Sequence, residues 1–433
     1  MHPPPLALLL AAALAALAPA AGAGAAPAEV ARAHGVTPLT PPWLQHDPGP
    51  RYWTQARKWQ GIPDIERAPG GRLWATWYAG PHMEGGDGNY AVLVTSADDG
   101  KTWSEPVAVF DVHGFFEGKT TDPQLWLDPS GALWWVNHRV LPIAGADPLL
   151  QRSAWAFKAA DADIRSASAA AAAAFPRFAP PVFIAHGVCL NKPAVLGAGE
   201  WLRPVVAGRE EPARIQFYVS RDNGRTWRFL SKHTPAAPPE AAKFWCEPML
   251  VERRDGSLWT LFRAADGIMQ IESRDRGLTW ENEGYFTKQF GINTRFFLLR
   301  LASGALLLVA NDHPRARANM TAFLSDDDGK TWPRKLVLDE RENVSYPDGA
   351  QAPDGSIYII YDRGRYHPGS QEILFAKFTE AGIRAGTGAD NKIRLKQIIN
   401  RLADAGSGVR ETYEASRLDK ENKARRAAAK RAR

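Results

Sequence analysis

The chain has 433 residues, 45% of them apolar, and it contains 16 Trp, 37 Gly and 33 Pro. Such a chain can bury a large core, and its many Gly and Pro favour a fold of short strands and turns. The formal net charge is +6, but residues 410–433 alone carry nine Lys and Arg against four Asp and Glu. The rest of the chain is therefore nearly neutral, which argues against nucleic acid as a partner.

The N-terminus has the pattern of an export signal. Leu6 to Leu17 form an uncharged Ala/Leu run that has the length of a signal-peptide core and is too short to cross a bilayer. Ala21 and Ala23 then offer a cleavage site. We expect residues 1–25 to be a signal peptide and the mature protein to be exported, periplasmic or extracellular, without stable membrane insertion. Because His2 is the only basic residue before the run, an N-terminal anchor or a disordered leader is the alternative.

A short turn with a Gly, followed by an apolar strand, recurs six times in the chain. Each occurrence predicts a hairpin between two strands. The turn glycines are Gly71, Gly131, Gly199, Gly256, Gly304 and Gly355. Six such turns predict six copies of one structural unit.

A second repeat, S-x-D-x-G-x-T-W, is called the clasp below. Its Asp can accept backbone N–H bonds across a tight turn, its Gly can adopt positive φ, and its Trp can pack the hairpin onto a sheet. The clasps are Ser96–Trp103, Ser220–Trp227, Ser273–Trp280 and Ser325–Trp332. The two repeats together predict an all-β, six-bladed β-propeller over residues 36–380.

Two segments fall outside this pattern. The second blade lacks a clasp and carries an Ala-rich insertion at Ser166–Ala174, which we expect to form a short surface helix. Residues 381–433 are predicted to be a basic extension, helical or disordered.

The order of antiparallel strands predicts where a site would form. If the Gly turn joins the first two strands and the clasp joins the last two, both lie on one rim, and the first strands begin on the opposite rim around the axis. The six starts are Gly61-Ile62-Pro63, Asp122-Pro123, Lys192-Pro193, Glu247-Pro248, Arg295-Phe296 and Tyr346-Pro347. The second strands end on the same rim, at residues that include Arg139, Arg263 and Arg363. We expect these polar groups to converge on the axis. The alternative is that strand starts are polar only because the channel is wet.

The clasps, the Ile62-Pro63 start of the first blade and the stretch SYPDGAQAPDGSIYIIYDRGR around Tyr346 resemble the sialidases (neuraminidases) and related propeller glycosidases, in which the clasp is known as the Asp box. The resemblance spans roughly Trp53 to Thr379. It implies hydrolysis of a terminal acidic sugar, with a glycan or glycoconjugate as the partner and with neither cofactor nor metal. Asp boxes specify the fold more strongly than the activity, because non-enzymatic propellers carry them too.

The resemblance also implies roles for individual residues. Sialidases hold the substrate carboxylate with three arginines, and they use a Tyr nucleophile, a Glu base and an Asp acid. The matching residues are Tyr346 for the nucleophile, Glu247 for the base, Arg263 and Arg295 for the second and third arginines, and Asp87 for the acid, with Glu84 and Asp122 as alternatives. Further candidates for substrate binding are Lys192, Asp122, Arg139 and Arg363.

The first-blade motif departs from the family, because Gly61 stands where an Arg is expected. Arg57, Lys192 or Arg139 could supply a replacement. Otherwise the substrate is a different acidic sugar, such as a uronate, cleaved by a glycosidase or lyase. If the ligand is a sialic acid, Gly61→Arg should strengthen binding or leave it unchanged.

A non-catalytic glycan-binding propeller is the third hypothesis. In that protein Tyr346 would be a core tyrosine and Glu247 would only balance the charge of a neighbouring arginine. Survival of a phenol beside a base argues against this hypothesis, since binding alone does not need the pair.

The remaining chemistry-bearing residues give weak signals. Cys189 and Cys246 lie on the same rim of neighbouring blades, so export permits a disulfide while the span between two strand starts argues against one. His138 and His313 are predicted to be loop residues rather than metal ligands. No pattern indicates an oligomeric state.

Overall fold

The structure is a computed structural model, and it describes residues 39–46, 48–112, 118–141, 150–159, 176–207, 214–236, 246–291, 293–366, 371–386 and 393–402. The predicted signal peptide (1–25), the Ala-rich insertion at 166–174 and the end of the chain from residue 403 lie outside these ranges. None of the described helices has the length and apolar composition that a membrane-spanning segment needs.

The described strands form six antiparallel sheets, which confirms the predicted six-bladed all-β propeller. Blade one contains β1 (Gln45–His46), β2 (Trp59–Arg67), β3 (Leu73–Gly80), β4 (Tyr90–Ser96) and β5 (Ala108–Phe110). Blade two contains β6 (Lys119–Leu127), β7 (Leu133–Val140), β8 (Arg152–Ala159) and β9 (Val182–His186). Blade three contains β10 (Ala194–Val195), β11 (Trp201–Ala207), β12 (Arg214–Ser220) and β13 (Arg228–His233).

The other three blades have the same up-and-down order. Blade four contains β14 (Met249–Glu252), β15 (Leu258–Ala264), β16 (Gly267–Ser273) and β17 (Glu281–Thr287). Blade five contains β18 (Phe297–Arg300), β19 (Leu306–Asn311), β20 (Ala318–Ser325) and β21 (Arg334–Glu342). Blade six contains β22 (Val344–Gln351), β23 (Ser356–Arg363), β24 (Gln371–Thr379) and β25 (Arg394–Leu402), and a single helical turn, α1 (Glu380–Ala385), joins its last two strands.

Blade six extends to Leu402, past residue 380, where the sequence placed the end of the propeller. β25 pairs antiparallel with β24 and is the outer strand of the blade. Its sequence, RLKQIINRL, is basic, and it follows the only described α-helix, so composition alone suggested a solvated tail. Pairing with β24 overrides that local preference.

Both repeats have their predicted local structure. The six turn glycines have positive φ, between 81° and 103°. Each clasp joins the last two strands of its blade in chain order. In the clasp of blade five, Asp327 accepts the Thr331 N–H at 2.8 Å and the Thr331 hydroxyl at 2.6 Å, while Gly329 N–H donates to Ser325 Oγ at 2.9 Å.

Neighbouring blades pack face to face. One apolar core combines Trp259 of blade four, Leu307 of blade five and Ile359 of blade six, all at most 1% exposed. Another combines Leu93 of blade one with Trp135 of blade two. Burial between sheets fixes the tilt of each blade and therefore the distance of each first strand from the axis.

A β-bulge interrupts the first strand in three of the blades. The pairing register shifts between Gly61 and Asp64, between Thr121 and Gln124, and between Ser345 and Asp348. Within the bulges, Ile62, Asp122 and Tyr346 have φ of 58°, 46° and 56°. A bulge changes the direction in which a side chain points, and these three bulges occur on the rim opposite the clasps.

Candidate active site

Three polar side chains enter the axis from the same position in alternate blades. Asp122 of blade two, Glu247 of blade four and Tyr346 of blade six each precede a Pro and have φ of 46°, 43° and 56°. Non-glycine residues adopt this left-handed conformation rarely, and they are enriched at functional sites when they do. The repeat thus places a phenol and two carboxyl groups around one centre.

The Tyr346 hydroxyl donates a hydrogen bond to Glu247 Oε1 at 2.7 Å. Arg263 Nη1 donates to the same carboxylate oxygen at 2.8 Å and to the Tyr346 hydroxyl oxygen at 2.9 Å. Tyr346 is 5% exposed and Glu247 is 2% exposed. Burial, and then the charge of Glu247, raise the pKa of Tyr346, so the phenol is neutral until a base removes its proton.

Four guanidinium groups lie around Tyr346. Three of them, those of Arg263, Arg317 and Arg365, are called the guanidinium cluster below, and the fourth belongs to Arg295. The Arg365 and Arg317 guanidiniums lie 4.2 Å and 5.4 Å from the centre of the Tyr346 ring. Arg317 Nη2 donates to the Asn293 carbonyl at 2.8 Å. Its Nη1 is buried and has no hydrogen-bond partner among the described residues, so this N–H is available to an anionic ligand.

Arg365 occupies the space beside Gly61. A Cβ added at Gly61 would collide with Arg365 Cδ and would lie 3.0 Å from Arg365 Cγ. Asp362 holds the guanidinium in this place: its Oδ2 lies 3.2 Å from Arg365 Nη1 and also accepts the Ile62 N–H at 2.9 Å. The glycine of blade one and the arginine of blade six are thus complementary in shape.

Three solved structures share the architecture of this chain. An intramolecular trans-sialidase from Ruminococcus gnavus, in complex with oseltamivir carboxylate, has a TM-score of 0.58 at 14% sequence identity, covering 78% of this chain and 98% of that one. A leech intramolecular trans-sialidase, in complex with 2,7-anhydro-Neu5Ac, has a TM-score of 0.59 at 14% identity, with 84% and 73% covered. A Hadza microbial sialidase has a TM-score of 0.57 at 18% identity, with 75% and 66% covered. At such identities the likeness is one of fold.

Residues 152–359 match the family model described as a BNR repeat-like domain. The matched segment runs from β8 of blade two into β23 of blade six, and the propeller fold is shared with the sialidases of known structure. No protein with a curated function matches the sequence of this chain. The matched segment contains Glu247, Arg263, Arg317 and Tyr346, whereas Gly61 and Arg365 lie outside it.

The structure places the Arg295 guanidinium 5.3 Å from the centre of the Tyr346 ring, and its role in holding a substrate carboxylate stays a prediction. The Arg295 side chain is fully buried and donates to the carbonyls of Leu190 at 3.0 Å and Pro63 at 3.2 Å. In blade five the left-handed position is occupied by Asn293, with φ of 47°, whose Oδ1 accepts from Arg263 Nη2 at 2.6 Å. In blade five the left-handed position thus lies two residues before Arg295, the strand start predicted from the sequence.

The three candidates for the acid have different surroundings. Asp87 is exposed and lines a separate surface cavity with Arg51, Tyr90 and Asp111, so it does not join Tyr346 and Glu247. Glu84 faces the guanidinium cluster, with its Oε2 3.5 Å from Arg365 Nε. Burial, and then the charges of Glu247 and Glu84, raise the pKa of Asp122 to about 6.

Four other predicted binding residues are engaged elsewhere. Lys192 Nζ is buried among the carboxylates of Asp64, Glu66 and Asp348, at 3.1, 2.7 and 3.1 Å. Arg139 donates to the Thr40 carbonyl at 2.7 Å, Arg57 donates to the Tyr52 carbonyl at 3.0 and 2.9 Å, and Arg363 pairs with Glu372 at 3.2 Å. In this structure these charged groups balance buried charge or bind backbone carbonyls, and their contact with a substrate stays a prediction.

Arg317 and Arg365 were missed because both lie in connections rather than at strand starts. Arg317 lies between β19 and β20, and Arg365 lies two residues after β23 ends. The one signal in the sequence was the pair Arg363 and Arg365 in the stretch DRGR, of which the nearer to the strand was chosen.

Cys189 and Cys246 are both free and buried. Cys189 N–H donates to His138 Nε2 at 2.9 Å, and burial lowers the pKa of that imidazole to about 4. His138 is thus a buried β7 residue, not the loop residue that was predicted. Within the described ranges, no cluster of His, Cys, Asp and Glu could hold a metal ion.

Proposed function

We propose that this protein is an exo-glycosidase that removes a terminal acidic sugar, sialic acid or a related sugar, from glycans. The observation that carries the proposal is the 2.7 Å hydrogen bond from the Tyr346 hydroxyl to Glu247, beside the guanidinium cluster. A phenol hydrogen-bonded to a buried base is the arrangement of an activated nucleophile. The guanidiniums explain why the nucleophile is a phenol rather than a carboxylate, as argued from the charge of the substrate below.

A cluster of guanidiniums favours a substrate that carries a carboxylate, because the planar fork of an arginine matches a carboxylate in two parallel hydrogen bonds. If that carboxylate is on the anomeric carbon, it repels a negatively charged nucleophile. A neutral tyrosine avoids the repulsion. This is the chemical reason why sialidases use a Tyr nucleophile where most glycosidases use a carboxylate. Arg365 would replace the guanidinium that is missing at Gly61.

In the proposed reaction, the Tyr346 oxygen attacks the anomeric carbon while Glu247 takes the phenol proton. Arg263 contacts both groups, so it stabilises the negative charge as it moves from the carboxylate to the phenolate oxygen. Water then cleaves the tyrosyl-sugar bond and regenerates the phenol.

Asp122 is the proposed general acid, because its raised pKa keeps a proton available in mildly acidic solution. It protonates the oxygen of the leaving glycan. Glu84 is less suited to this step. The loss of water around its carboxyl favours the neutral form, but Arg365, Tyr366, Arg317 and Arg263 outweigh that effect and lower its pKa.

Turnover of 4-methylumbelliferyl sialoside and glucuronide by the purified protein tests the proposal. Tyr346→Phe should lose kcat by several orders of magnitude on whichever substrate is cleaved, since only the reacting oxygen is removed. Tyr361→Phe is the matched control. Tyr361 is in the same blade as Tyr346, but its hydroxyl donates to Asp339 of blade five at 3.1 Å and not to Glu247. Activity on the glucuronide alone would favour a uronate-specific enzyme. Tight glycan binding without turnover, unchanged in Tyr346→Phe, would favour the binding module.

A further inference from the structure

Glu84 lies in the loop that connects β3 to β4, and the backbone on both sides of it is anchored. Asn89 Nδ2 donates to the Met83 carbonyl at 2.9 Å, and Lys119 Nζ donates to the Gly85 carbonyl at 2.5 Å. Gly85 has φ of 65°, which lets the chain turn at this point. The loop therefore holds Glu84 towards the axis and leaves Asp87 exposed on its outer side.

The Glu84 carboxylate is already engaged with the guanidinium cluster. Its Oε2 lies 3.5 Å from Arg365 Nε, and against the effect of burial Arg365 and then Tyr366 lower the pKa of this carboxyl. Arg317 and Arg263 also attract its charge. With 27% of its side chain exposed, Glu84 is within reach of a ligand that enters the pocket.

The other two carboxylates at the cluster have structural partners. Glu247 is bound to Arg263 and Tyr346, and Asp362 is bound to Arg365, Ser345 and the Ile62 N–H. Glu84 adds a third negative charge beside Arg365, and its side chain is partly exposed. A ligand carboxylate that binds Arg317 and Arg365 meets this charge at close range, and like charges repel.

We propose that Glu84 is a specificity-determining residue: an internal carboxylate that competes with the carboxylate of the sugar for the guanidinium cluster. The inference rests on the proposed function for the class of ligand, an acidic sugar. Competition lowers the affinity of the guanidinium cluster for a carboxylate, both for that of the substrate and for that of the product. The pocket consequently releases the free sugar acid readily after cleavage, a step that limits many enzymes.

Glu84→Gln tests this role because it keeps the size and hydrogen-bonding capacity of the side chain and removes its charge. Asp87→Asn is the matched control, an identical change of charge three residues away on the exposed side of the loop. Isothermal titration with free N-acetylneuraminic acid, glucuronic acid and methyl galactoside measures binding without turnover. We expect Glu84→Gln to bind at least one of the two acids about tenfold tighter or more, to bind the neutral galactoside as the wild type does, and Asp87→Asn to match the wild type throughout.

Unchanged or weaker acid binding in Glu84→Gln would overturn the inference, and so would the absence of acid binding in both proteins. Loss of kcat in Glu84→Gln without tighter binding would also overturn it and would identify Glu84 as the acid. These outcomes are separate from failure of the proposed function. A wild-type protein that hydrolyses neither aryl glycoside, while Glu84→Gln binds a sugar acid more tightly, would refute the enzyme and retain the role of Glu84.

Discussion

Gly61 and Arg365 lie on two blades and are complementary in shape. Gly61 has no side chain to contribute, and the space it leaves is filled by the Cγ and Cδ of Arg365. Asp362 binds both the Arg365 guanidinium and the backbone N–H of Ile62, so the pair is fixed to the first strand. In the proposed enzyme, Arg365 supplies the guanidinium that is absent at Gly61.

Gly61→Arg is therefore expected to weaken the binding of an acidic sugar, contrary to the expectation from the sequence alone. The new side chain has to displace Arg365, and two guanidiniums then compete for Asp362. Titration with the sugar acids should show this loss, whereas Gly61→Arg combined with Arg365→Gly should recover part of it. Equal binding by Gly61→Arg and the wild type would show that Arg365 does not occupy the ligand's path.

Activity should depend on the ionisation of Asp122. The raised pKa means that Asp122 keeps its proton up to a pH of about 6, and a general acid works only while protonated. We expect kcat/KM to fall as the pH rises through about 6. In Asp122→Asn this fall in kcat/KM above a pH of about 6 should disappear. Activity should be kept on aryl glycosides, whose leaving groups need little protonation, and lost on natural glycans. A fall that persists in Asp122→Asn would point to a different acid.

At the scale of the element, each clasp binds the preceding blade as well as closing its own hairpin. The residue after the clasp Asp has positive φ, and two examples reach across the seam: Arg276 pairs with Glu200 of blade three, and Asp328 accepts the Arg254 N–H of blade four as well as a bond from Arg300 of its own blade. In three of the clasps the Gly makes room for an aromatic ring of the neighbouring blade, as Gly329 does for Trp259, whereas Gly277 faces leucine side chains. A turn motif thus doubles as a contact between blades.

Gly329→Ala should destabilise the fold more than Gly355→Ala. Both glycines have positive φ, 91° and 81°, so each alanine carries about 1–2 kcal/mol of backbone strain. At Gly329 the new Cβ would also lie 2.6 Å from the Trp259 ring, whereas at Gly355 nothing lies within 4 Å. Overpacking adds about 1–3 kcal/mol. Denaturant unfolding followed by tryptophan fluorescence measures the difference, and equal midpoints would refute the packing role of the clasp.

The sequence predicts those parts of the molecule that depend on neighbours in the chain. Turn glycines and clasps specify local hydrogen bonds, so the blade number and the rims followed from them. Glu247, Arg263 and Tyr346 could be placed together because they occupy repeated positions at strand ends. Arg365 could not, because its location depends on how blade six packs against Gly61. Asn293 could not be identified either, because the left-handed position of blade five falls two residues before Arg295 and no local pattern marks that shift.

At the scale of the whole molecule, the ring closes without strand exchange, since the described strands of blade six all follow those of blade five. Blades one and six are joined only by side-chain and backbone contacts. Asp99 of the first clasp accepts from Tyr358 at 2.6 Å, Lys377 at 2.7 Å and Arg394 at 2.8 Å. On the opposite rim, Gln60 N–H donates to Gln371 Oε1 at 2.8 Å. This closing seam also carries the Gly61–Arg365 pair.

Asp99→Ala should therefore affect both stability and binding, whereas Asp328→Ala, at the equivalent position of the seam between blades four and five, should affect stability alone. Blades four and five stay tethered by the chain when their seam loosens, but blades one and six do not, so loosening the closing seam releases more conformational freedom. Hydrogen exchange should become faster in β2 and β25 of Asp99→Ala before global unfolding, and KM for an acidic glycoside should rise as Arg365 moves away from Gly61. Matching exchange and KM in the two variants would mean that the closing seam is no weaker than the others.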